Sequence, residues 1–188
     1  MMKRDEALRA LARRITPRDI VLSAYSTAFD WFEIAPRALN YFANGAMGLG
    51  SSHALGLALG HPDRRVILLD GDGSLLMNLG TLVTIGAAAP KNLVHFVARN
   101  GVYEANGSHP LPQKDVDFTG LAQAAGYAHC AEFRTLSAFD AGLDGLLAQS
   151  GPVFCTLHWE KGALSPVFDY RKLDDPKLRA DFRAALRP

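Results

Sequence analysis

Short apolar runs alternate along this chain with stretches whose apolar residues recur at helical spacing. The apolar runs are DIVLSAY (19–25), VILLD (66–70), NLVHFVA (92–98) and GPVFCTLHW (151–159). Each run is continuous and short, which is typical of a strand that is buried on both faces. Strands that alternate with helices predict an α/β fold, namely an open, mostly parallel, doubly wound sheet with helices on both faces.

The remaining apolar spacing predicts helices. Residues 5–14 fit an amphipathic helix. The run SLLMNLGTLVTIGAAA (74–89) is apolar nearly all round, which predicts one helix that is buried on more than one side. The C-terminal run DDPKLRADFRAALRP (174–188) fits either a docking tail or a packed terminal helix. No linker or repeat divides the chain, so we expect residues 1–188 to form one domain with a charged tail from about Ser165.

Composition narrows the classes of function without choosing one. The chain is 48% hydrophobic and 21% charged, as an average soluble globular protein is, and its formal net charge is +1. This balance argues against a nucleic-acid partner. No apolar run approaches the roughly 20 residues that span a bilayer, and the polar start MMKRDEALRALARR lacks the apolar centre of a secretory signal. We therefore expect a cytoplasmic protein with no membrane and no nucleic-acid partner.

Polar residues follow two of the apolar strands. Asp72 lies in the turn GDGS and Asn100 lies in the turn NG, 28 positions later. A right-handed crossover brings both turns to the same carboxyl edge of the sheet, where ligands bind in such folds. A carboxylate and an amide oxygen suit Mg²⁺, and free N–H groups at a helix start suit phosphate. GDG alone also fits a plain helix entry, but this spacing between two buried strands favours a Mg²⁺–diphosphate site.

The GDGS turn, its spacing to Asn100 and the upstream turn GAMG (45–48) resemble the cofactor motif of thiamine diphosphate-dependent enzymes. The resemblance covers most of residues 19–159. GDGSLLMNLGTL, PKNL and NGVYE carry a closer likeness to the β subunit of sulfopyruvate decarboxylase and to the matching half of phosphonopyruvate decarboxylase. The resemblance implies the thiamine diphosphate-binding fold, in a diphosphate-binding domain that stands as its own subunit.

The resemblance also implies roles for individual residues. Asp72 and Asn100 would hold Mg²⁺ by their side chains, and Val102 by its backbone carbonyl. Met47 would wedge under the bent cofactor, as an adaptable apolar side chain can, and Gly45 would accept the cofactor's amino group at its carbonyl. Further cofactor contacts are implied around the GDGS turn and the Asn100 loop, from Gly71, Gly73, Ser74 and Tyr103.

Other candidates fit more than one role. His109 would protonate an intermediate or bind a substrate anion, and the alternative is a plain surface histidine. Glu104 stands near the place where some related decarboxylases carry an acid. The run EANGSHP (104–110) differs from the Ser-Thr-Gly-Gly-Gln type run of the sulfopyruvate and phosphonopyruvate enzymes. Three hydroxyl residues fit either additional cofactor contacts or helix capping, namely Ser23, Ser26 and Thr27.

The resemblance implies a partner as well. In the family, a glutamate from a pyrimidine-binding domain activates the aminopyrimidine ring of the cofactor, and such a domain is about as large as this whole chain. We therefore expect a pyrimidine-binding α-type subunit that supplies this glutamate, in a hetero-oligomer or a homo-oligomer. The isolated chain is expected to be inactive.

The expected function is that of a subunit in a thiamine diphosphate- and Mg²⁺-dependent 2-oxo acid decarboxylase. The expected substrate is a small acid such as sulfopyruvate or phosphonopyruvate, which would lose CO₂ to give an aldehyde. Two alternatives stay open. One is an acetolactate synthase-like carboligase subunit, and the other is a non-catalytic cofactor-binding or regulatory subunit.

Overall fold

The computed structural model describes residues 1–45, 47–162 and 169–187, and at its centre lies a parallel sheet. The strands in chain order are β1 (Ile20–Ala24), β2 (Asn40–Ala43), β3 (Val66–Gly71), β4 (Leu93–Arg99), β5 (Val102–Tyr103), β6 (His109–Pro110), β7 (His129–Phe133) and β8 (Val153–His158). Six of them form one sheet in the order β2-β1-β3-β4-β8-β7, in which neighbouring strands run parallel. β5 and β6 form a separate antiparallel pair.

Helices connect the strands and cover both faces of the sheet. They are α1 (Arg4–Ala12), α2 (Ser26–Ile34), α3 (Gly50–Gly60), α4 (Asp72–Met77), α5 (Thr81–Ala88), α6 (Phe118–Ala124), α7 (Leu136–Leu147), α8 (Tyr170–Leu173) and α9 (Pro176–Leu186), with a 3₁₀ turn at Glu104–Asn106. α1, α2, α7 and α8 contribute to the core on one face, and α3 to α6 and α9 contribute to the core on the other. The predicted open, doubly wound α/β sheet is confirmed.

The side chains of β3 alternate between these two cores. Ile67 and Leu69 pack on one face with Trp31 of α2, while Val66 and Leu68 pack on the other. All four strand side chains are almost fully inaccessible to solvent. Successive residues of a strand point to opposite faces, so a strand covered on both sides is apolar throughout. The polar side chain of β3, Asp70, lies next to the carboxyl end of the strand.

The prediction of one helix over residues 74–89 is wrong. The chain forms α4 and α5 instead, separated by residues 78–80. The Asn78 side chain turns away to donate to the backbone carbonyl of Gly48, 3.1 Å from it, and Gly80 is a poor helix former. The expected burial on more than one side is not found throughout this segment, because Met77 is 51% exposed and Val83 is 62% exposed.

Two elements lie where the apolar pattern predicted none. β2 is a short strand at the edge of the sheet, and its first residue, Asn40, is buried and accepts a hydrogen bond of 2.9 Å from Trp31 Nε1. The β5–β6 pair has two residues on each side and is closed by a hydrogen bond from Ser108 N to the Tyr103 carbonyl. Strands this short carry too few positions for an alternating pattern to be recognised.

The C-terminal part of the chain packs as a helix where the structure describes it. Residues 165–168, where the charged tail was predicted to begin, lie outside the described residues. Beyond them, Phe182 of α9 is buried, and its ring centroid lies 5.4 Å from that of Tyr41 in β2. The packed terminal helix is thus the arrangement observed. In the described ranges, no helix combines the length and the apolar character needed to cross a membrane.

Candidate active site

β1, β3 and β4 end side by side, and their carboxyl ends enclose a cavity. Gly71, the last residue of β3, pairs in register with Ala98 of β4, so the turns after these strands leave the sheet together. Tyr25, which follows β1, also lines the cavity and has a φ of +50°. Left-handed backbone is rare for a residue with a bulky side chain and is concentrated at functional sites. The cavity lies at the edge where the sequence predicts a site.

Asp72 joins the two turns. Its side chain is 1% exposed. Oδ1 accepts a hydrogen bond from Gly73 N and Oδ2 accepts one from Gly101 N, each 2.8 Å long. Burial raises the pKa of Asp72 to about 6, although the backbone N–H groups favour the ionised form and oppose the rise. The positive charge of Arg99 also lowers the pKa of Asp72, but the effect of burial is larger, and a cation bound to the carboxylate would offset the cost of burying its charge.

The Asn100 side chain is held at both ends. Its Oδ1 accepts a hydrogen bond of 3.0 Å from Val102 N, and its Nδ2 donates one of 3.2 Å to Glu104 Oε2. The amide oxygen has two lone pairs, so one remains for a ligand. Asn100 and Asp72 both line the cavity.

Gly48, the last residue of the glycine-rich motif at residues 45–48, contacts α4 and the residue that follows it. Gly48 N donates to Ser74 Oγ over 3.2 Å, and the Gly48 carbonyl accepts from Asn78 Nδ2. Gly48 has a φ of +85°, which a residue with a side chain adopts only with strain. Met47, which directly precedes Gly48, lines the cavity. Asn78 was not among the residues predicted from the sequence to shape the site, although it lies only four residues after Ser74.

Gly73 lies directly under an aromatic ring. A Cβ atom at this position would lie 2.6 Å from Cδ1 of Tyr103. The glycine is therefore required by close packing between the turn after β3 and the loop after β4. The same close approach keeps Tyr103 in the cavity lining.

The cavity brings most of the predicted site residues together. Those that line it are Ser26, Met47, Gly71, Asp72, Gly73, Ser74, Asn100, Val102, Tyr103 and Glu104. Predicted residues that do not line it are the buried Ser23 and Thr27 and the exposed Gly45 and His109. His109 lies in β6, whose side chains face solvent. The roles of all these residues stay predictions.

Glu104 is held by residues that sequence reasoning missed. Arg4 Nη1 lies 2.7 Å from Glu104 Oε2, and Arg4 Nε lies 2.5 Å from Asp30 Oδ2. Burial raises the pKa of Asp30, and the positive charge of Arg4 acts against that rise. Arg4 is 100 positions from Glu104 in the chain, so no local pattern announces the pair.

A second and larger cavity of about 620 Å³ lies on the other side of the Asn100–Gly101 turn, where β4, β7 and β8 end. Its charged lining is mixed, with Arg99, Lys114, Arg134 and Lys161 beside Asp115, Asp117 and Glu132. Glu132 already contacts Arg134 at 2.5 Å and His158 at 2.6 Å. Cations and carboxylates that nearly balance do not define a ligand of one sign.

The donor set of the first cavity fits a magnesium ion that is shared with a diphosphate. Over the described residues, no group of three or more His, Cys, Asp or Glu side chains could hold a metal ion. Asp72, the Asn100 amide and the Val102 carbonyl are hard oxygen donors. Mg²⁺ commonly takes only one or two carboxylates from a protein and completes its octahedral shell with phosphate oxygens and water.

A family model described as "Thiamine pyrophosphate enzyme, C-terminal TPP binding domain" matches residues 22–157 of this chain. The chain belongs to this family. The match contains β3 and β4 and both turns of the site, and it confirms the resemblance inferred from GDGS and Asn100. Thiamine pyrophosphate, which is thiamine diphosphate, is thus the cofactor of the family.

Two relatives of this thiamine pyrophosphate-enzyme chain differ in length. The phosphonopyruvate decarboxylase of Streptomyces hygroscopicus is 36% identical over 165 residues, which cover 87% of this chain and 41% of the relative. The sulfopyruvate decarboxylase subunit beta of Methanothermobacter thermautotrophicus is 34% identical over 170 residues, which cover 90% of this chain and 89% of the relative. This chain therefore spans less than half of the first relative and most of the second.

A solved structure from Mycobacterium smegmatis, assigned to the thiamin diphosphate-dependent enzymes, has the same fold. It matches with a TM-score of 0.71 at 23% sequence identity, over 86% of this chain and 32% of that chain. The likeness confirms the thiamine diphosphate-binding fold.

Proposed function

We propose that this chain is the diphosphate-binding subunit of a thiamine diphosphate- and Mg²⁺-dependent 2-oxo acid decarboxylase. The observation that carries the proposal is the Asp72 carboxylate, which is buried and bonded to the N–H groups of both Gly73 and Gly101. It ties the GDGS turn to the Asn100 turn and leaves a negative charge that calls for a cation.

Each residue of the cavity has a stated task in this proposal. Asp72 Oδ2, Asn100 Oδ1 and the Val102 carbonyl hold Mg²⁺. Ser74 offers its hydroxyl to the diphosphate, because Gly48 N uses only one of its lone pairs. Met47 supplies an apolar wall to the cofactor's rings. When bound, thiamine diphosphate supplies an electron sink for the carbanion that decarboxylation generates.

The substrate is proposed from the relatives. Phosphonopyruvate decarboxylase and sulfopyruvate decarboxylase subunit beta share about a third of their residues with this chain. The two names share one reaction type, the loss of CO₂ from a small 2-oxo acid that carries a further anionic group. We assign this chain to the same reaction type, with sulfopyruvate or phosphonopyruvate as the substrates to test.

A partner subunit is part of the proposal. The chain matches 89% of a relative named as a beta subunit, and 41% of one without a subunit name. Of the described residues that line the cavity, Asp72 and Glu104 carry carboxyl groups. Asp72 is assigned to the metal and Glu104 is paired with Arg4. The glutamate that activates the cofactor's aminopyrimidine ring is therefore assigned to a pyrimidine-binding α-type subunit.

A calorimetric titration with thiamine diphosphate and Mg²⁺, on this chain alone and with its candidate partner, tests the proposal. We expect Mg²⁺-dependent binding with the partner, and CO₂ release from sulfopyruvate or phosphonopyruvate only in the complex. Acetolactate formed from pyruvate would favour a carboligase subunit. Binding without turnover of any of these acids would favour a non-catalytic subunit, and absence of binding in both samples would contradict the cofactor site itself.

A further inference from the structure

The geometry points to Glu104 as a positioning residue, which is held by Arg4 and which turns the side-chain amide of Asn100 so that its oxygen is presented to the metal ion. This inference rests on the proposed function and deepens it, since it says what makes Asn100 a competent ligand. It assigns Glu104 a task other than proton transfer.

The two ends of the Asn100 side-chain amide differ in what they can bind. Only the oxygen of an asparagine side chain can bind Mg²⁺, and a rotation of half a turn would present the NH₂ group instead. Glu104 Oε2 is an acceptor and lies 3.2 Å from Asn100 Nδ2. Val102 N is a donor and lies 3.0 Å from Asn100 Oδ1. The rotated amide would place oxygen against oxygen at Glu104 and N–H against N–H at Val102, so both contacts favour one orientation.

The Glu104 side chain is buried beside Arg4. Its side chain is only 7% exposed, and a carboxylate buried without a partner is costly. Arg4 Nη1 lies 2.7 Å from Oε2, the same oxygen that accepts from Asn100. Arg4 therefore fixes the position of Glu104 Oε2, because the Arg4 guanidinium and the Asn100 NH₂ group both donate to this one oxygen.

Arg4 is placed beside Glu104 by contacts of the N-terminal segment. Met2 N donates to the His158 carbonyl over 2.8 Å, and Glu160 N donates to the Met2 carbonyl over 2.9 Å. These bonds lay residue 2 along the end of β8, and Arg4 begins α1 directly afterwards. Arg4 also contacts Asp30 of α2. Contacts with the end of β8 and with α2, and the start of α1, therefore fix the position of the guanidinium independently of Glu104.

The expected effect follows from the way outer partners act on metal sites. Residues that orient a metal ligand typically change metal affinity by about 10–100-fold when they are replaced. We expect Glu104→Met to weaken Mg²⁺ binding by this factor, because methionine has a similar length and cannot accept from Asn100. Glu104→Gln should lose much less, since its Oε1 can accept from both Arg4 and Asn100. Glu6→Met, which removes an exposed glutamate of α1, is the matched control and should change nothing.

An exchanged pair separates positioning from stability. Arg4→Glu with Glu104→Arg restores an ion pair between α1 and the loop, and it is made together with Asp30→Asn so that no carboxylate faces the new glutamate. The melting temperature of this exchanged pair should exceed that of Glu104→Met. An arginine at position 104 can only donate, so it would attract the Asn100 oxygen and turn the amide away from the metal. Mg²⁺ affinity of the exchanged pair should therefore stay at least about tenfold below that of the unmodified chain.

The test is a Mg²⁺ titration by calorimetry, in saturating thiamine diphosphate and in the complex with the partner, with melting temperatures recorded for each variant. Unchanged Mg²⁺ affinity in Glu104→Met would overturn the inference and leave the proposed function intact. Recovery of affinity in parallel with stability in the exchanged pair would overturn it as well. Absence of Mg²⁺ binding by the unmodified protein would instead overturn the proposed function and this inference with it.

The amide orientation can also be read without any cofactor. The side-chain NH₂ resonances of Asn100 in the free chain should shift in Glu104→Met and stay near their original positions in Glu104→Gln. If Glu104→Met does not fold, the spectrum of Glu104→Gln and the Mg²⁺ affinity of the exchanged pair decide the question. Unchanged chemical shifts of the Asn100 NH₂ group in both Glu104→Met and the exchanged pair would overturn the inference.

Discussion

The turn after β3 and the turn after β4 each contribute one proposed Mg²⁺ ligand, Asp72 and Asn100, and the two side chains are oriented by different means. Asp72 is held by backbone N–H groups of Gly73 and Gly101. The Asn100 amide is held at its NH₂ end by the side chain of Glu104, which depends in turn on Arg4. Two backbone N–H groups thus orient Asp72, whereas Asn100 is oriented by one backbone N–H at its oxygen, from Val102, and at its NH₂ end by a side chain that a residue of α1 holds.

This difference separates two kinds of sensitivity. No substitution outside the two turns removes the backbone donors that orient Asp72, so the carboxylate should stay in place in most variants. The amide of Asn100 can be disturbed from α1 without any change in the loop itself. The following predictions test this contrast, from the largest expected effect to the smallest.

Removal of the backbone-held ligand should have the largest effect. Asp72→Ala deletes the one carboxylate assigned to the metal, so Mg²⁺-dependent binding of thiamine diphosphate should fall by more than about 100-fold, beyond the usual effect of an outer partner. Calorimetry with and without Mg²⁺ measures this. Asp72→Asn is the control for charge, because it keeps the shape of the side chain. Wild-type affinity in Asp72→Ala would refute the metal assignment.

A methyl group at Gly73 tests the contact between the two turns. Gly73→Ala should destabilise the chain by about 1–2 kcal/mol, because the cost of overpacking against Tyr103 exceeds the gain in helix propensity. In a Tyr103→Ala background the clash is absent, and the same substitution should stabilise by up to about 1 kcal/mol. Urea unfolding of the four proteins measures both values. The same sign in both backgrounds would show that Tyr103 does not require the glycine.

The contact between Gly48 and Asn78 should contribute less. Asn78→Ala removes the hydrogen bond to the Gly48 carbonyl, which is worth about 0.5–1.5 kcal/mol. We expect thiamine diphosphate affinity to fall by up to about tenfold, with Mg²⁺ dependence retained. Gln149→Ala, which removes an exposed bond to the Gly145 carbonyl, is the comparison. Equal effects of the two substitutions would mean that the Gly48 contact does not shape the cofactor site.

The smallest effect is expected at His109. This residue is exposed in β6 and does not line the cavity, so His109→Ala should change cofactor and Mg²⁺ binding by less than about twofold, as surface substitutions generally do. Steady-state kinetics of the assembled enzyme complete the test. A fall in kcat with unchanged KM would show that His109 acts in the transition state, as the sequence suggested.

Much of the sheet could be predicted from the sequence, because buried parallel strands leave a clear apolar record. β1 and β8 lie within two of the four runs identified from that record, and β3 and β4 match the other two but end one residue later, at Gly71 and Arg99. β2 and the β5–β6 pair are too short to leave one. The break between α4 and α5 was missed because Asn78 contacts Gly48 across 30 positions, and a pattern of apolar residues does not report a tertiary hydrogen bond.

The candidate site divides in the same way. Asp72 and Asn100 were predicted because each directly follows an apolar strand, and the sheet brings such positions to one edge. Arg4 and Asp30 left no signal, since helix α1 reads as an ordinary amphipathic segment in which arginine is common. The orientation of Asn100 is therefore a property of the folded chain, which the motif alone does not contain.

The alternating burial of β3 has a consequence for how this domain can diversify. Both faces of the strand are committed to packing, so a change of chemistry in the middle of the sheet would cost stability at once. The loops beyond the strand ends carry no such commitment, and functional novelty on a shared scaffold arises there. A mutant library aimed at new acids should therefore leave residues 66–69 and the buried Leu111 untouched and randomise residues 105–108.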